Sequence, residues 1–161
     1  MEISLRKIED SDIPFLKKVY RSTREDELNL TDWTDEQKQQ FTDQQFDAQH
    51  NYYQQVYSGA SFEIIYSDGQ PAGRLYAWES GSQIRIVDIS LLPEFRNNGI
   101  GNRILNSLIE KSEAGSKILS IHVEYYNRAL SLYKRLGFKQ KDQTGVYFYM
   151  ERLPKSLSNS S

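Results

Sequence analysis

Between Asp88 and Ile109 the chain reads DISLLPEFRNNGIGNRILNSLI, with Arg96, Gly99 and Gly101 close together at its centre. The run ahead of them is apolar and β-branched, and the run behind is amphipathic at helical spacing. A strand therefore hands over to a helix at two glycines. The first amides of a helix have no partner inside it and carry partial positive charge. They hold an anion wherever the side chains are small enough to let it approach. Gly99 and Gly101 supply that access, and Arg96 adds a forked cation suited to phosphate oxygens.

Two familiar nucleotide signatures do not fit this seam. A dinucleotide fingerprint needs a third glycine where Ile104 stands, and a P-loop needs Lys followed by Ser or Thr, which neither glycine has after it. On these residues alone, a strand-to-helix turn without a ligand stays open beside an anion seat. A second segment, NRALSLYKRLGF, begins at Asn127, 26 residues after Gly101, leaving room for one helix and one strand. By periodicity Leu130, Tyr133 and Leu136 would form a core stripe, in which a tyrosine is usually packing.

Taken together, the two segments resemble the GNAT superfamily of acyl-CoA-dependent N-acetyltransferases. Arg96-Asn97-Asn98-Gly99-Ile100-Gly101 matches its R/Q-x-x-G-x-G/A signature, after the lead-in LLPEF. Asn127, Ala129, Tyr133, Gly137 and Phe138 match the block N-x-A-x-x-x-Y-x-x-x-G-F. The motifs fall between about Gln83 and Leu153, while the N-terminal half agrees only in its order of elements. The resemblance implies that the backbone of Arg96, Asn97, Asn98, Gly99, Ile100, Gly101 and Asn102 holds the diphosphate of acetyl-CoA. It further implies that Ser90, Leu91 and Leu92 bond the pantetheine arm, that Asn127 touches that arm, and that Tyr133 protonates the departing thiolate. The implied co-substrate is acetyl-CoA, with no metal.

Direct acyl transfer needs a neutral amine, so a base or a water chain must take a proton, and an acid must meet the leaving sulfur. Three residues on the strands flanking the seam are candidates for the base: Asp88, His122 and Glu124. His122 titrates near neutrality, and it stands where some family members carry a catalytic glutamate. Asp88 interrupts an apolar run, which is costly unless the carboxylate is paired with Arg85 or Arg74 or is functional. Glu124 shares a strand face with His122. The acceptor slot implied by the resemblance takes Glu25, Glu27 and Trp33 from the first two helices and Trp78 from a strand. That acidic and aromatic set suits a cationic amine of a small molecule or a peptide, although a charge run is often simply solvated. The competing function is a non-catalytic acyl-CoA-binding regulatory module.

The elements around these residues are legible from pattern. Expected are a first strand at ISLRKI, a helix ending near Thr23, a loop over REDELNLTDW, and a long helix from Thr34 to Tyr57. In that long helix Phe41, Gln45 or Phe46, His50 or Tyr53, and Tyr57 share one face. A hairpin turns at Asp68-Gly69, and a third strand follows Gly81. After the seam helix come a strand KILSIHVEYY, a helix NRALSLYKRLG and two last strands. The fold class is α+β, one GNAT-like domain of about seven mixed, mostly antiparallel strands flanked by four helices. Its order is β1-α1-α2-β2-β3-β4-α3-β5-α4-β6-β7, and only the β4-α3-β5 step is a parallel crossover. Residues 1–153 form this domain and 154–161 a frayed polar tail.

Bulk composition narrows the classes further. At 161 residues with 38% hydrophobic content the chain suits one domain, and a net charge of −2 gives no global field for nucleic acid or a membrane surface. Without cysteine there is no disulfide and no thiolate nucleophile, and two isolated histidines argue against a metal. No export signal or spanning segment is visible, so a cytoplasmic monomer or homodimer is expected.

Overall fold

The computed structural model describes residues 1–158. The strands are β1 (Ile3–Lys7), β2 (Ser61–Ser67), β3 (Gln70–Glu79), β4 (Gln83–Leu91), β5 (Ile118–Glu124), β6 (Lys139–Thr144) and β7 (Tyr147–Arg152). The helices are α1 (Ile13–Leu28), α2 (Asp35–Val56), α3 (Ile100–Gly115), α4 (Leu130–Arg135) and the short α5 (Lys155–Ser158). The strands hydrogen-bond in the order β1-β2-β3-β4-β5-β7-β6, with β4 and β5 parallel and β5 and β7 antiparallel. The chain packs as two compact units, one of residues 1–75 with 89–98, the other of residues 76–88 with Gly99 onward.

In the first unit, Leu16 and Tyr20 of α1, Phe46 of α2 and Ile64 of β2 form a buried cluster. Helix α2 starts where expected, because Thr34 and Gln37 bond each other's backbone amides in a capping box. The β2-β3 hairpin turns at Asp68 and Gly69, with φ values of +50° and +80°, as a tight two-residue turn requires. Helix α1 runs five residues past Thr23, to Leu28. Its last turn is anchored by the buried Leu28 and by an Arg24–Glu27 pair at 3.3 Å, so part of the expected loop is helix. On α2 the buried positions are Thr42 and Phe46, while Phe41 is turned outward against Trp33 at 5.1 Å between ring centroids.

The second unit buries one face of β5. Leu119, Ile121 and Val123 are buried, as are Ile104 and Leu105 of α3 and Tyr133 of α4. Ser112, fully buried on α3, donates to the Lys117 carbonyl at 2.6 Å and so ties the helix end to the start of β5. Helix α4 is only six residues long, since Asn127 to Ala129 form a turn ahead of it. The tail is held down at its start, contrary to the frayed end expected. Pro154 is buried and the Lys155 amide donates to Glu113 at 2.7 Å, while residues 159–161 lie outside the described residues.

One contact in the first unit constrains the end of β4. A Cβ built on Gly73 would stand 2.0 Å from the Ser90 carbonyl oxygen, so β3 and β4 approach more closely here than any side chain tolerates. The Leu92 amide seals that junction by donating to the Ala72 carbonyl at 2.8 Å. Replacing Gly73 with Ala is expected to destabilise the fold by about 1–3 kcal/mol, as overpacking does, read from the urea midpoint at unchanged slope.

Candidate active site

The second unit alone contains the glycine-bounded start of α3 together with Asp88, His122, Glu124, Asn127 and Tyr133. Gly99 is the residue before the first helical turn and adopts φ +83°, a conformation that favours glycine. The first intrahelical bond runs from the Arg103 amide to the Gly99 carbonyl at 3.0 Å, which leaves the amides before Arg103 without an intrahelical acceptor. Ile100 is 1% exposed, so its side chain locks the helix start into the core while its backbone stays at the helix end. A Cβ at Gly99 or at Gly101 would meet no atom within 4 Å. Packing within the protein therefore does not require Gly101, and the space beside it is open. Asn102 is exposed beside it.

The first unit holds the residues just upstream. Arg96 donates from Nε to the Leu91 carbonyl at 3.0 Å, which bends the segment after β4 back on itself. Asn97 adopts φ +63°, and Asn97 and Asn98 are exposed. Leu92 is a correction to the expected pantetheine contacts. Its side chain is 3% exposed and its amide is bound to Ala72, so it has no amide left to donate to a ligand, while its carbonyl accepts from the Phe95 amide. Ser90 and Leu91 stay half-buried at the strand end.

Strands β4 and β5 are in register from Gln83↔Ile118 to Ile86↔Ile121, and both continue beyond that last pair. Asp88, His122 and Glu124 lie on the continuing ends. Asp88 is half-buried, and Arg85 is committed elsewhere, donating from Nε to Ser120 Oγ at 3.1 Å with its guanidinium 5.6 Å from the Tyr149 ring centre. The expected Asp88–Arg85 pair is therefore not formed. His122 lies against Tyr149 at 4.9 Å between ring centroids. Although the residue is exposed, partial loss of hydration and then the Arg85 charge hold its pKa below the usual histidine value, so it is neutral at neutral pH.

Glu124 accepts from Asn127 Nδ2 at 3.2 Å, and Asn127 Oδ1 accepts from the Ala129 amide at 2.8 Å. Asn127 thus shapes the turn into α4 while steadying Glu124. That turn delivers Tyr133, which is 3% exposed and packs edge-on against Phe138 at 5.6 Å. Burial raises the Tyr133 pKa, and the charges of Asp88 and Glu124 raise it further, so the hydroxyl keeps its proton.

The expected acceptor residues do not gather in one unit. Glu25, Glu27 and Trp33 belong to the first, where Glu27 is engaged by Arg24 and Trp33, 40% exposed, packs on Phe41. Trp78 belongs to the second, two residues before the turn from β3 to β4, at the other end of β4 from Asp88. Sequence reasoning missed Gly73, whose close approach to Ser90 is visible only in space, and it missed Arg85, Ser120 and Tyr149 as a group. The period-two polar set Ser120, His122 and Glu124 on an otherwise apolar strand was the available signal. Among the described residues no cluster of His, Asp and Glu is placed to hold a metal, and no helix is long and apolar enough to cross a membrane.

The mixed sheet, the parallel pair and the open helix start describe an α+β domain built around an anion-ready turn. Residues 29–149 match the acetyltransferase (GNAT) domain, and the chain belongs to that family. It is 33% identical over 90 residues to an uncharacterised N-acetyltransferase of Methanocaldococcus jannaschii, the match covering 50% of this chain and 40% of that protein. It is also 33% identical over 87 residues to the thialysine N-epsilon-acetyltransferase of Bos taurus, covering 47% of this chain and 51% of that one. The chain spans about half the length or less of these relatives. The PaiA N-acetyltransferase of Thermoplasma acidophilum, solved with coenzyme A, has the same fold at a TM-score of 0.71, covering 95% of this chain and 99% of that chain at 19% identity.

Substituting Gly101 with Ala separates the two roles a glycine can have. A methyl group there meets nothing and suits a helix better than glycine does, so thermal stability is expected to hold or rise by up to about 1 kcal/mol. Affinity for coenzyme A, measured by calorimetry, is expected to be kept, since the signature admits Ala at this position, whereas a Gly101→Gln variant is expected to lose binding.

Proposed function

We propose that this domain transfers an acetyl group from acetyl-CoA to a primary amine of a small molecule or peptide, by direct attack in a ternary complex. The observation that carries the reading is the start of α3, where unsatisfied amides face open space at a position that needs no glycine for packing. Residues Gly99 to Asn102 suit a diphosphate by backbone donation. When bound, acetyl-CoA supplies an acyl group already activated as a thioester.

The chain's own residues divide the remaining work. Tyr133 keeps its proton, so its hydroxyl suits donation to a leaving thiolate. His122, neutral at neutral pH and open to solvent, is suited to take a proton from the acceptor amine. Glu124, steadied by Asn127, and the half-buried Asp88 are the other carboxylates near this step. Both also help hold the proton on Tyr133.

Exchanging Tyr133 for Phe is expected to lower kcat about 100-fold or more with coenzyme A affinity nearly intact. Unchanged turnover would reject Tyr133 as the acid. With His122 as base, kcat/KM falls as pH drops through a pKa lower than about 6.5. The sign follows from the direction of the shift, since only the neutral imidazole accepts a proton. His122→Gln is expected to remove that acid limb, and a limb that persists assigns the base to Glu124 or Asp88. Coenzyme A binding without thiol release for any amine would instead mark a non-catalytic acyl-CoA-binding module.

A further inference from the structure

The second face of β5 carries Ser120, His122 and Glu124, the residues that alternate with its buried Leu119, Ile121 and Val123. Register places Arg85 of β4 beside Ser120, and Glu151, Tyr149 and Tyr147 of β7 beside Ser120, His122 and Glu124 in turn. All belong to the second unit, and together they make a polar face across three strands.

Arg85 is the odd member of this face. It is half-buried, and no carboxylate among the described residues lies within 4 Å of it. Its Nε is used on Ser120 Oγ, which is itself fully buried and donates onward to Gln83 Oε1 at 3.0 Å. The Tyr149 ring lies under the guanidinium, and its hydroxyl is held by Glu151 at 2.7 Å. The arginine is thus fixed in position and plane while the edge formed by Nη1 and Nη2 is left over. That edge is the one that receives a carboxylate through two parallel hydrogen bonds. A guanidinium oriented in advance loses little freedom when it captures an anion.

Glu124 stands at the other end of the same face. Four residues of strand separate it from Ser120, a backbone span of about 13 Å at a rise of about 3.3 Å per residue. Arg85 and Glu124 thus mark the two ends of that span, and His122 lies midway. A carboxylate on Arg85 would place a short aliphatic chain along the Tyr149 ring, with its amine toward His122 and Glu124.

We propose that Arg85, held by Ser120 and Tyr149, seats a carboxylate of the acceptor, making the acceptor an amino-carboxylate of roughly basic-amino-acid length. This rests on the acetyltransferase reading for its chemistry, but the seat itself is a binding site that can be tested without turnover. It departs from the plain cationic amine suggested by Glu25, Glu27 and Trp33.

The test uses matched pairs: lysine against cadaverine, ornithine against putrescine, and 6-aminohexanoate against pentylamine. In each pair only the carboxylate differs. Thiol release from acetyl-CoA and calorimetric binding to the CoA-loaded protein are measured for both members. For at least one pair the carboxylate-bearing member is expected to be preferred at least about tenfold, and Arg85→Gln is expected to bring that ratio to about one. Arg85→Lys, which keeps the charge but loses the fork, is expected to retain only part of the preference, and it serves in place of Arg85→Gln should that variant not fold. Ratios near one for every pair in the wild type, or a preference undiminished in both Arg85→Gln and Arg85→Lys, would overturn the seat. Absence of thiol release from every amine would overturn the acetyltransferase reading alone, and the calorimetric ratios would then decide the seat.

Discussion

A helix cannot satisfy its own first amides, and the whole candidate site is arranged around that deficit at the start of α3. The helix start is immobilised from below by Ile100, which is 1% exposed, and opened from above by glycines whose Cβ positions face empty space. A helix that began one residue earlier or later would present a different set of amides, and a bulky side chain at Gly101 would cover them. The positive φ of Gly99 is therefore as much a part of the proposed anion seat as the amides themselves.

Strand β5 serves the chemistry by having two unlike faces. Leu119, Ile121 and Val123 are buried in the second unit, and the same strand brings Ser120, His122 and Glu124 to the other side. Its register with β4 runs to Ile121, while its register with β7 continues to Glu124. His122 and Glu124 thus sit on backbone in register with β7 but past the β4 pairing. The turn at Asn127 then places a buried tyrosine within the electrostatic reach of Asp88 and Glu124, and the two charges act in the same direction as burial.

Electrostatics pushes the titratable groups of the candidate site in opposite senses. Burial and neighbouring carboxylates keep the proton on Tyr133, and partial burial and a neighbouring arginine keep it off His122. An acid and a base poised in opposite senses are what proton transfer at both ends of an amine acylation needs. Membership of the acetyltransferase (GNAT) domain family accords with that division.

Much of this was legible before any coordinates. The strand order along the chain, the Asp68-Gly69 turn, the start of α2 at Thr34 and the helix start at Gly99 follow from local patterns, because capping, turn geometry and amphipathic period are properties of neighbouring residues. Boundaries that depend on distant packing were not legible: α1 runs on to Leu28 because that leucine is buried, and α4 is short because Asn127 caps a turn before it. By itself the sequence determined the anion-ready turn and the tyrosine block, since both are contiguous motifs. Tertiary structure alone decided that Gly73 admits the Ser90 carbonyl, that Leu92 is spent on Ala72, and that Arg85 faces Ser120 and Tyr149 instead of Asp88. The physical reason is that strand register and close backbone approach join residues far apart in the chain, and no local periodicity encodes which of them will meet.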